Sequence, residues 1–415
     1  MFSPDNGAKF WSQLPRELRE ANLTQFDPAA ATAAYLAVLT PAQHARATAY
    51  TQGGHWLLLW GAILAVAIAW VVLKSGILVR VRDRMEEGGP KPWRVALTVV
   101  FVYGLIEALV GLPWAVYTSW WREKAYGLTS QAFGGWFGEW AMSAAIDLVL
   151  ISLLLSGVYG LMRRAPRTWW IWASGLVGLA FTFVIVLSPV FIEPLFNKFT
   201  PAPPGPVRNE VTAMAKANGV PADKIYIYDG SKQSNRYTAN VSGLFGTARV
   251  AMSDVMFKKD ADIAEVRGVV GHEMGHYVHT HSIWIAMGFS ALALTGFFLV
   301  DRLFPGVSAR LSPVGVRGLA DPSGFPILWM ILAVLGLLAT PIQSSIIRIA
   351  ESDADTFSLT HFNEPDGLSK ALAKTIEYRA ATPSKLEEVI FYNHPSVGSR
   401  IRKAMDWKAA HMKAE

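Results

Sequence analysis

Six stretches of this chain are long and apolar enough to cross a lipid bilayer, and they constrain the fold more than any motif does. They run about His55–Leu73, Val95–Tyr117, Trp140–Leu161, Trp169–Ile192, Ile283–Val300 and Pro326–Ile347. A helix that spans hydrocarbon needs about 20 predominantly apolar residues. Trp56, Trp140, Trp169 and Trp170 sit at the ends of these runs, where amphipathic rings favour the interface. Composition agrees: 52% of residues are apolar and only 17% are charged, against roughly 25% in an average soluble domain. The net charge of +6 lies between the apolar runs, as membrane-flanking charge does, so it does not call for nucleic acid. With no cysteine, disulfides, thiol nucleophiles and Cys-type zinc sites are excluded. Met1–Arg19 is polar and mixed in charge, so no cleavable signal peptide is expected.

The expected fold class is an all-α polytopic membrane protein, with six transmembrane helices, or seven with a cryptic one, around a chamber. A small α+β catalytic portion is expected beside them. The divisions expected are a soluble or interfacial segment at 1–54, four spans within 55–192, a catalytic portion at 193–281, two further spans within 282–347, and a C-terminal catalytic portion at 348–415. Glu107 and Asp147 fall inside apolar runs. An acid facing lipid is costly, so each either lines a polar chamber or makes a buried structural hydrogen bond.

Between the spans the pattern is mixed. Asp27-Pro28 before an Ala-rich run predicts a short capped helix over Ala29–Leu39. Pro206–Asn218 has helical periodicity and stops at Gly219, and Lys224–Tyr228 reads as a short strand. Tyr237–Leu244 and Thr247–Met252 read as a hairpin around Phe245-Gly246. Asp260–His281 then predicts one amphipathic helix running straight into the fifth span.

That helix carries His272-Glu273-Met274-Gly275-His276. Two histidines four apart share a helical face and can bind one metal ion, zinc above all. Glu273 can reach a metal-bound water and act as its general base. The bland alternative is a polar turn with two solvated histidines, which the apolar flanks Val266, Val269, Val270 and Val278 oppose. A catalytic zinc needs three protein ligands. Downstream, Glu351 and Asp355 share a face. Glu351 is the candidate third ligand, and Asp355 can accept the second ring N–H of a ligand histidine. Arg348 either braces these carboxylates or anchors its helix at the interface. His394 and Arg400 are candidate donors to an oxyanion. At i+3 and i+5 from His276, His279 and His281 are expected to point elsewhere.

From about residue 27 to 403 the chain resembles the integral-membrane CaaX prenyl endopeptidases, zinc metalloproteases that remove the last three residues after a prenylated cysteine. The resemblance is carried by Phe26-Asp27-Pro28, Gly111-Leu112-Pro113-Trp114, Ile192-Glu193-Pro194-Leu195-Phe196-Asn197 and the following Lys198–Pro201, and Asp229-Gly230-Ser231-Lys232. It continues through Ser234-Asn235, Gly243-Leu244-Phe245, Arg249, Asp254, the His272 motif, Arg348–Asp355, His394-Pro395 and Arg400. It implies one zinc ion on His272, His276 and Glu351, with Glu273 as base. It also implies that Asp355 lies behind the ligands and that His394 and Arg400 serve the transition state. A strand around Ala239 would receive the substrate backbone, a pairing that tolerates many side chains. The family's Ser-Asn-Ala-Tyr run appears here as Arg236-Tyr237-Thr238-Ala239-Asn240, so Asn235 and Asn240 are the candidates for the substrate amide contact.

The function expected is a membrane-embedded, monomeric zinc endopeptidase. It would cleave near the C-terminus of peptide or protein substrates, prenylated or not, within a lipid bilayer and with no nucleic-acid partner. The alternatives are a general quality-control protease for membrane proteins, or a metal-binding transporter or scaffold. Six spans put both termini on the catalytic side, which the resemblance implies is cytosolic. Lys74–Arg94 and Arg163–Arg167 would then lie outside, against the positive-inside tendency.

Overall fold

The structure, a computed structural model, describes residues 26–412 apart from 90, 244–246 and 260. The Met1–Arg19 segment, the Phe245-Gly246 turn and Leu244 of the resemblance lie outside the described residues. Helix α1 (Pro28–Leu36) is capped by Asp27, which accepts from the Ala29 N–H at 2.7 Å. Among the described residues, five helices are long and apolar enough to cross a membrane: α2 (Pro41–Ser75), α4 (Pro92–Ala125), α5 (Phe133–Arg164), α6 (Trp169–Phe196) and α10 (His281–Leu311). Helix α3 (Ile77–Glu86) joins the first two of these. A sixth span is a pair, α11 (Phe325–Leu338) and α12 (Thr340–Phe362), bent by 55°. No more than 28% of the most apolar window of any of the five is buried within the protein. The apolar faces therefore look outward, towards lipid.

The helices overrun the expected spans. Helix α2 starts 14 residues before His55, because Thr40 and Gln43 form a reciprocal capping box and Pro41 fits the first turn. At 1.5 Å per residue its 35 residues extend about 52 Å, well past a hydrocarbon core of about 30 Å. The expected single sixth span is broken at Pro341, which cannot donate to the Leu337 carbonyl and crowds it. Side chains supply the missing bonds. Thr340 Oγ1 donates to Leu337 O at 2.7 Å, and Gln343 Nε2 to Gly336 O at 3.0 Å. Beyond the break α12 runs without interruption to Phe362.

Glu107 makes the buried hydrogen bond, whereas the cavity that Glu107 and Asp147 share is mainly apolar rather than a polar chamber. Trp329 Nε1 donates to Glu107 at 2.9 Å, and both acids line a cavity of about 400 Å³ between α4, α5 and α11. At the end of the bundle where α3 lies, buried Arg82 donates to Asp321, to Ser323 at 2.9 Å and to the Gly315 carbonyl at 2.8 Å.

The other end carries a four-stranded sheet ordered β1-β2-β4-β3, with β1 (Phe199–Pro201), β2 (Ile225–Tyr228), β3 (Ala239–Ser242) and β4 (Arg249–Ser253). The β3–β4 pairing is the expected hairpin, antiparallel with Ala239 opposite Met252. Strand β1 and the parallel β2–β4 pairing were not expected, since Asn197–Arg208 reads as a Pro-rich polar segment. Helix α7 (Pro206–Ala217) covers the sheet and ends before Gly219, whose φ of 69° suits a residue without Cβ. Two ion pairs tie this portion to the bundle: Arg249–Glu193 at 2.7 Å and Arg236–Glu123 at 2.7 Å.

After the short α8 (Asp254–Lys258), helix α9 (Ile263–Val278) packs against α12 and against α13 (Pro365–Ala373). Helices α14 (Lys385–Phe391) and α15 (Val397–His411) close the far side. Glycines set how closely α9 approaches. A Cβ on Gly268 would lie 2.5 Å from the Leu368 backbone nitrogen, and one on Gly271 would lie 2.5 Å from the Phe362 ring. Because the Leu368 contact is backbone, it cannot yield by a rotamer change. Gly268→Ala is therefore expected to destabilise the full-length protein by about 1–3 kcal/mol through overpacking. Gly138→Ala, on α5 with nothing within 4 Å of its Cβ, is the control. Thermal unfolding in detergent checks this, with a lowered midpoint for the first variant only.

Candidate active site

Helix α9 delivers His272, Glu273 and His276, and α12 delivers Glu351 and Asp355. His272 Nε2 lies 3.1 Å from Glu351 Oε2 and 3.2 Å from His276 Nε2, and His276 Nε2 lies 3.5 Å from Glu351 Oε1. On its other side His272 Nδ1 is 2.9 Å from Asp355 Oδ1. Asp355 is itself gripped by Arg400, whose Nε and Nη2 donate at 2.8 and 2.6 Å. Both partners of that ion pair are buried.

These contacts fix a tautomer. An ionised carboxylate only accepts, so Asp355 takes the Nδ1 proton of His272 and leaves the Nε2 lone pair facing inward. That lone pair meets the Glu351 carboxylate and His276 Nε2 in a buried space. Among the described residues Glu351 Oε2 has no hydrogen-bond partner there as long as His272 Nε2 carries no proton. Three electron-rich atoms so close repel unless positive charge lies among them. The pull is visible in the titration of His272. Burial opposes its charged form, but hydrogen bonds to Asp355 and Glu351 outweigh that and raise it to about 9. His276 is lowered to about 4 by burial and by His272. With an ion in place of the extra proton that His272 otherwise takes up, two neutral imidazoles and one carboxylate, with ligand atoms all within 4.8 Å of one another, fit a four-coordinate divalent ion that keeps one position open.

Beside them opens a cavity of about 680 Å³, lined by Glu273, Glu351, His394, Arg379, Tyr378 and Ala239 among others. Glu273 is raised to about 7 by burial, while the Val241 backbone N–H of β3 donates to it. His394 Nε2 lies 3.2 Å from Glu351 Oε1, and burial lowers its pKa to about 3. His394 thus faces the cavity as a neutral ring.

The structure departs from expectation at several positions. Arg348 touches neither Glu351 nor Asp355. Its Nη1 donates to the Glu388 and Tyr392 carbonyls at 2.8 and 2.6 Å, capping α14 and holding the turn that carries His394. The reason is its heading on α12, one turn before Glu351 and towards α14. Asn235 lies away from the cavity, with its backbone N–H and Nδ2 donating to the Leu128 and Gly127 carbonyls. On β3, Ala239 lines the cavity, while Asn240 on the alternate face does not, and its Oδ1 is buried without a partner among the described residues. The continuous helix expected over Asp260–His281 breaks at Thr280, whose φ of 53° is left-handed. That break swings His281 back, so its Nδ1 lies 3.0 Å from His276 Nδ1. Thr280 is β-branched and poorly suited to that conformation, so nothing in the sequence signalled the turn. Arg379 and Tyr378 carried no motif either.

Fold and site together define an integral-membrane metalloprotease. Residues 201–408 match the family described as "Peptidase family M48", and residues 24–198 match "CAAX prenyl protease N-terminal, five membrane helices". The chain belongs to Peptidase family M48. It is similar to an uncharacterized metalloprotease of Bacillus subtilis, YhfN, with 28% identity covering 92% of this chain and 88% of that one. It is also similar to CAAX prenyl protease 1 of Saccharomyces cerevisiae, with 26% identity over 73% of this chain and 70% of that one. The crystal structure of S. mikatae Ste24p shares the fold, with a TM-score of 0.75, 19% identity, and coverage of 97% of this chain and 96% of that one.

Asp355→Asn should weaken metal binding by about 10- to 100-fold, because the amide no longer compels the His272 tautomer. It should also cost about 3–5 kcal/mol of stability by stranding Arg400. Metal titration alongside thermal unfolding separates the two effects.

Proposed function

We propose that this protein is a zinc endopeptidase in which His272, His276 and Glu351 hold the metal and Glu273 is the general base. The observation that carries this reading is the convergence of three buried lone pairs, with Asp355 and Arg400 setting the tautomer of one of them. Zinc on such a donor set would activate water and polarise a carbonyl. Glu273, next in the chain to a ligand, faces the same cavity and its raised pKa suits a group that takes a proton and returns it to the leaving amine. His394 stands across Glu351 and, in the tautomer that carries its proton on Nε2, is placed to donate to the developing oxyanion. Arg400 acts one step back. Its Nε and Nη2 donate to Asp355, so it positions His272, and it also lines the cavity, where its charge is placed to serve the transition state.

Strand β3 is an edge of the described sheet and borders the cavity through Ala239. A substrate added there in extended form would be held by its backbone, which tolerates varied side chains. Arg379 is recessed in the cavity wall, where burial lowers its pKa. Its guanidinium suits an anionic group near the scissile bond. A free C-terminal carboxylate is such a group, which supports cleavage near the C-terminus of membrane-associated substrates, prenylated CaaX-type proteins among them. The catalytic side is proposed to be cytosolic and the protein monomeric.

Glu273→Gln should lower peptide cleavage by about 10²- to 10⁴-fold while one equivalent of zinc is retained. Activity that survives with zinc in place removes Glu273 from its role. The same assay on one peptide with and without its prenyl group decides the substrate class.

A further inference from the structure

A second group of metal-type donors lies on the outer side of the first. His279, His281 and Asp353 also bring their ligand atoms within 4.8 Å of one another. His281 Nε2 is 3.0 Å from Asp353 Oδ2, and His279 Nδ1 contacts the same oxygen. On an unbroken helix residues two apart point to different faces. Here the left-handed Thr280 between them turns both rings onto one carboxylate. The side chains of His279 and Asp353 are 38% and 46% exposed, so an ion from solvent can reach them. Two imidazoles and one carboxylate suit zinc or a similar transition metal better than magnesium or calcium.

We propose that His279, His281 and Asp353 form a second transition-metal site whose filling opposes metal binding at His272, His276 and Glu351. The antagonism rests on the reading of the first site given above. It follows from one shared proton. His276 Nδ1 and His281 Nδ1 face each other at 3.0 Å, and a neutral imidazole carries a single N–H. When His276 offers its Nε2 lone pair to the inner ion, its proton is on Nδ1 and is donated to His281 Nδ1. His281 then carries its own proton on Nε2, aimed at Asp353, and cannot ligate there. When an outer ion takes His281 Nε2, the proton moves to His281 Nδ1. His276 must then accept on Nδ1 and carry its proton on Nε2, which closes the inner position. Filling both requires one ring to lose its last proton or the contact between them to break.

The test is titration of the full-length protein in detergent with zinc or cobalt(II), counting bound metal and following cleavage of one peptide. Wild type should bind one tight equivalent and a second, weaker one, with activity falling as the second fills. His279→Ala should lose the weaker equivalent and the inhibition by excess metal, with activity at low metal unchanged. In Glu351→Gln the tight equivalent should be lost and the outer ion should bind at least about fivefold more tightly than in wild type, the low end of ordinary coupling between sites. Equal stoichiometry in wild type and His279→Ala would overturn the site and leave the cluster as hydrogen bonds alone. An outer affinity unchanged by Glu351→Gln would overturn the antagonism. A tight equivalent that survives Glu351→Gln would sink the inner assignment and the coupling with it, while the His279 comparison still decides whether the outer site exists.

Discussion

A buried carboxylate clamped by a buried guanidinium sets the chemistry of this site. Asp355 receives two hydrogen bonds from Arg400 and one from His272. Taking such a pair out of water is expensive, and its mutual attraction repays that only when every remaining donor and acceptor is used. Here the spare acceptor capacity of Asp355 is spent on the ring of His272, so the pair does more than hold two helices together. It dictates which nitrogen of a neighbouring side chain is free. The residues that contribute come from α9, α12 and α15, and no two of those helices are adjacent in sequence. The arrangement exists only once the whole catalytic portion has folded.

Helix α9 can meet α12 and α13 so closely because its inner face is nearly smooth. Gly268, Gly271 and Gly275 present backbone to Leu368, Phe362 and Ala354. Gly271 and Gly275 immediately precede His272 and His276, so close approach along the glycine stripe brings the neighbouring stripe of imidazoles up to Glu351. Sequence constrains these residues twice, as packing and as chemistry. That is one reason the His-Glu-x-x-His segment stands out when read as a string of letters.

Legibility followed locality. Apolar runs, the Asp27 cap, the Gly219 stop and the β3–β4 hairpin were readable because each depends on residues a few positions apart. The pairing of Glu351 with a motif 75 residues upstream was readable only because ligand chemistry limits what a third partner can be. What stayed hidden depends on tertiary direction. Arg348 sits where a brace for Glu351 was expected, yet its side chain runs to the carbonyls of α14. Asn235 and Asn240 are near each other in the chain but are separated by the pleat of β3 and by the anchoring of Asn235 to Gly127. His281 was misplaced because helical spacing was assumed through Thr280, where the backbone turns left-handed.

The bend at Pro341 joins the membrane to this chemistry. Helix α11 has the composition of a span, but α12 carries Glu351, Ser352, Asp353 and Asp355 within five positions, which a lipid-facing helix could not tolerate. A straight continuation would keep both halves on one axis. The 55° break redirects the chain, and Thr340 and Gln343 satisfy the carbonyls that Pro341 leaves free. Helix α2 makes the matching extension from the other side, rising well beyond hydrocarbon length so that Tyr50 lines the cavity and accepts from Arg236. The catalytic cavity is therefore walled both by helices that begin in the bilayer and by a sheet that has left it.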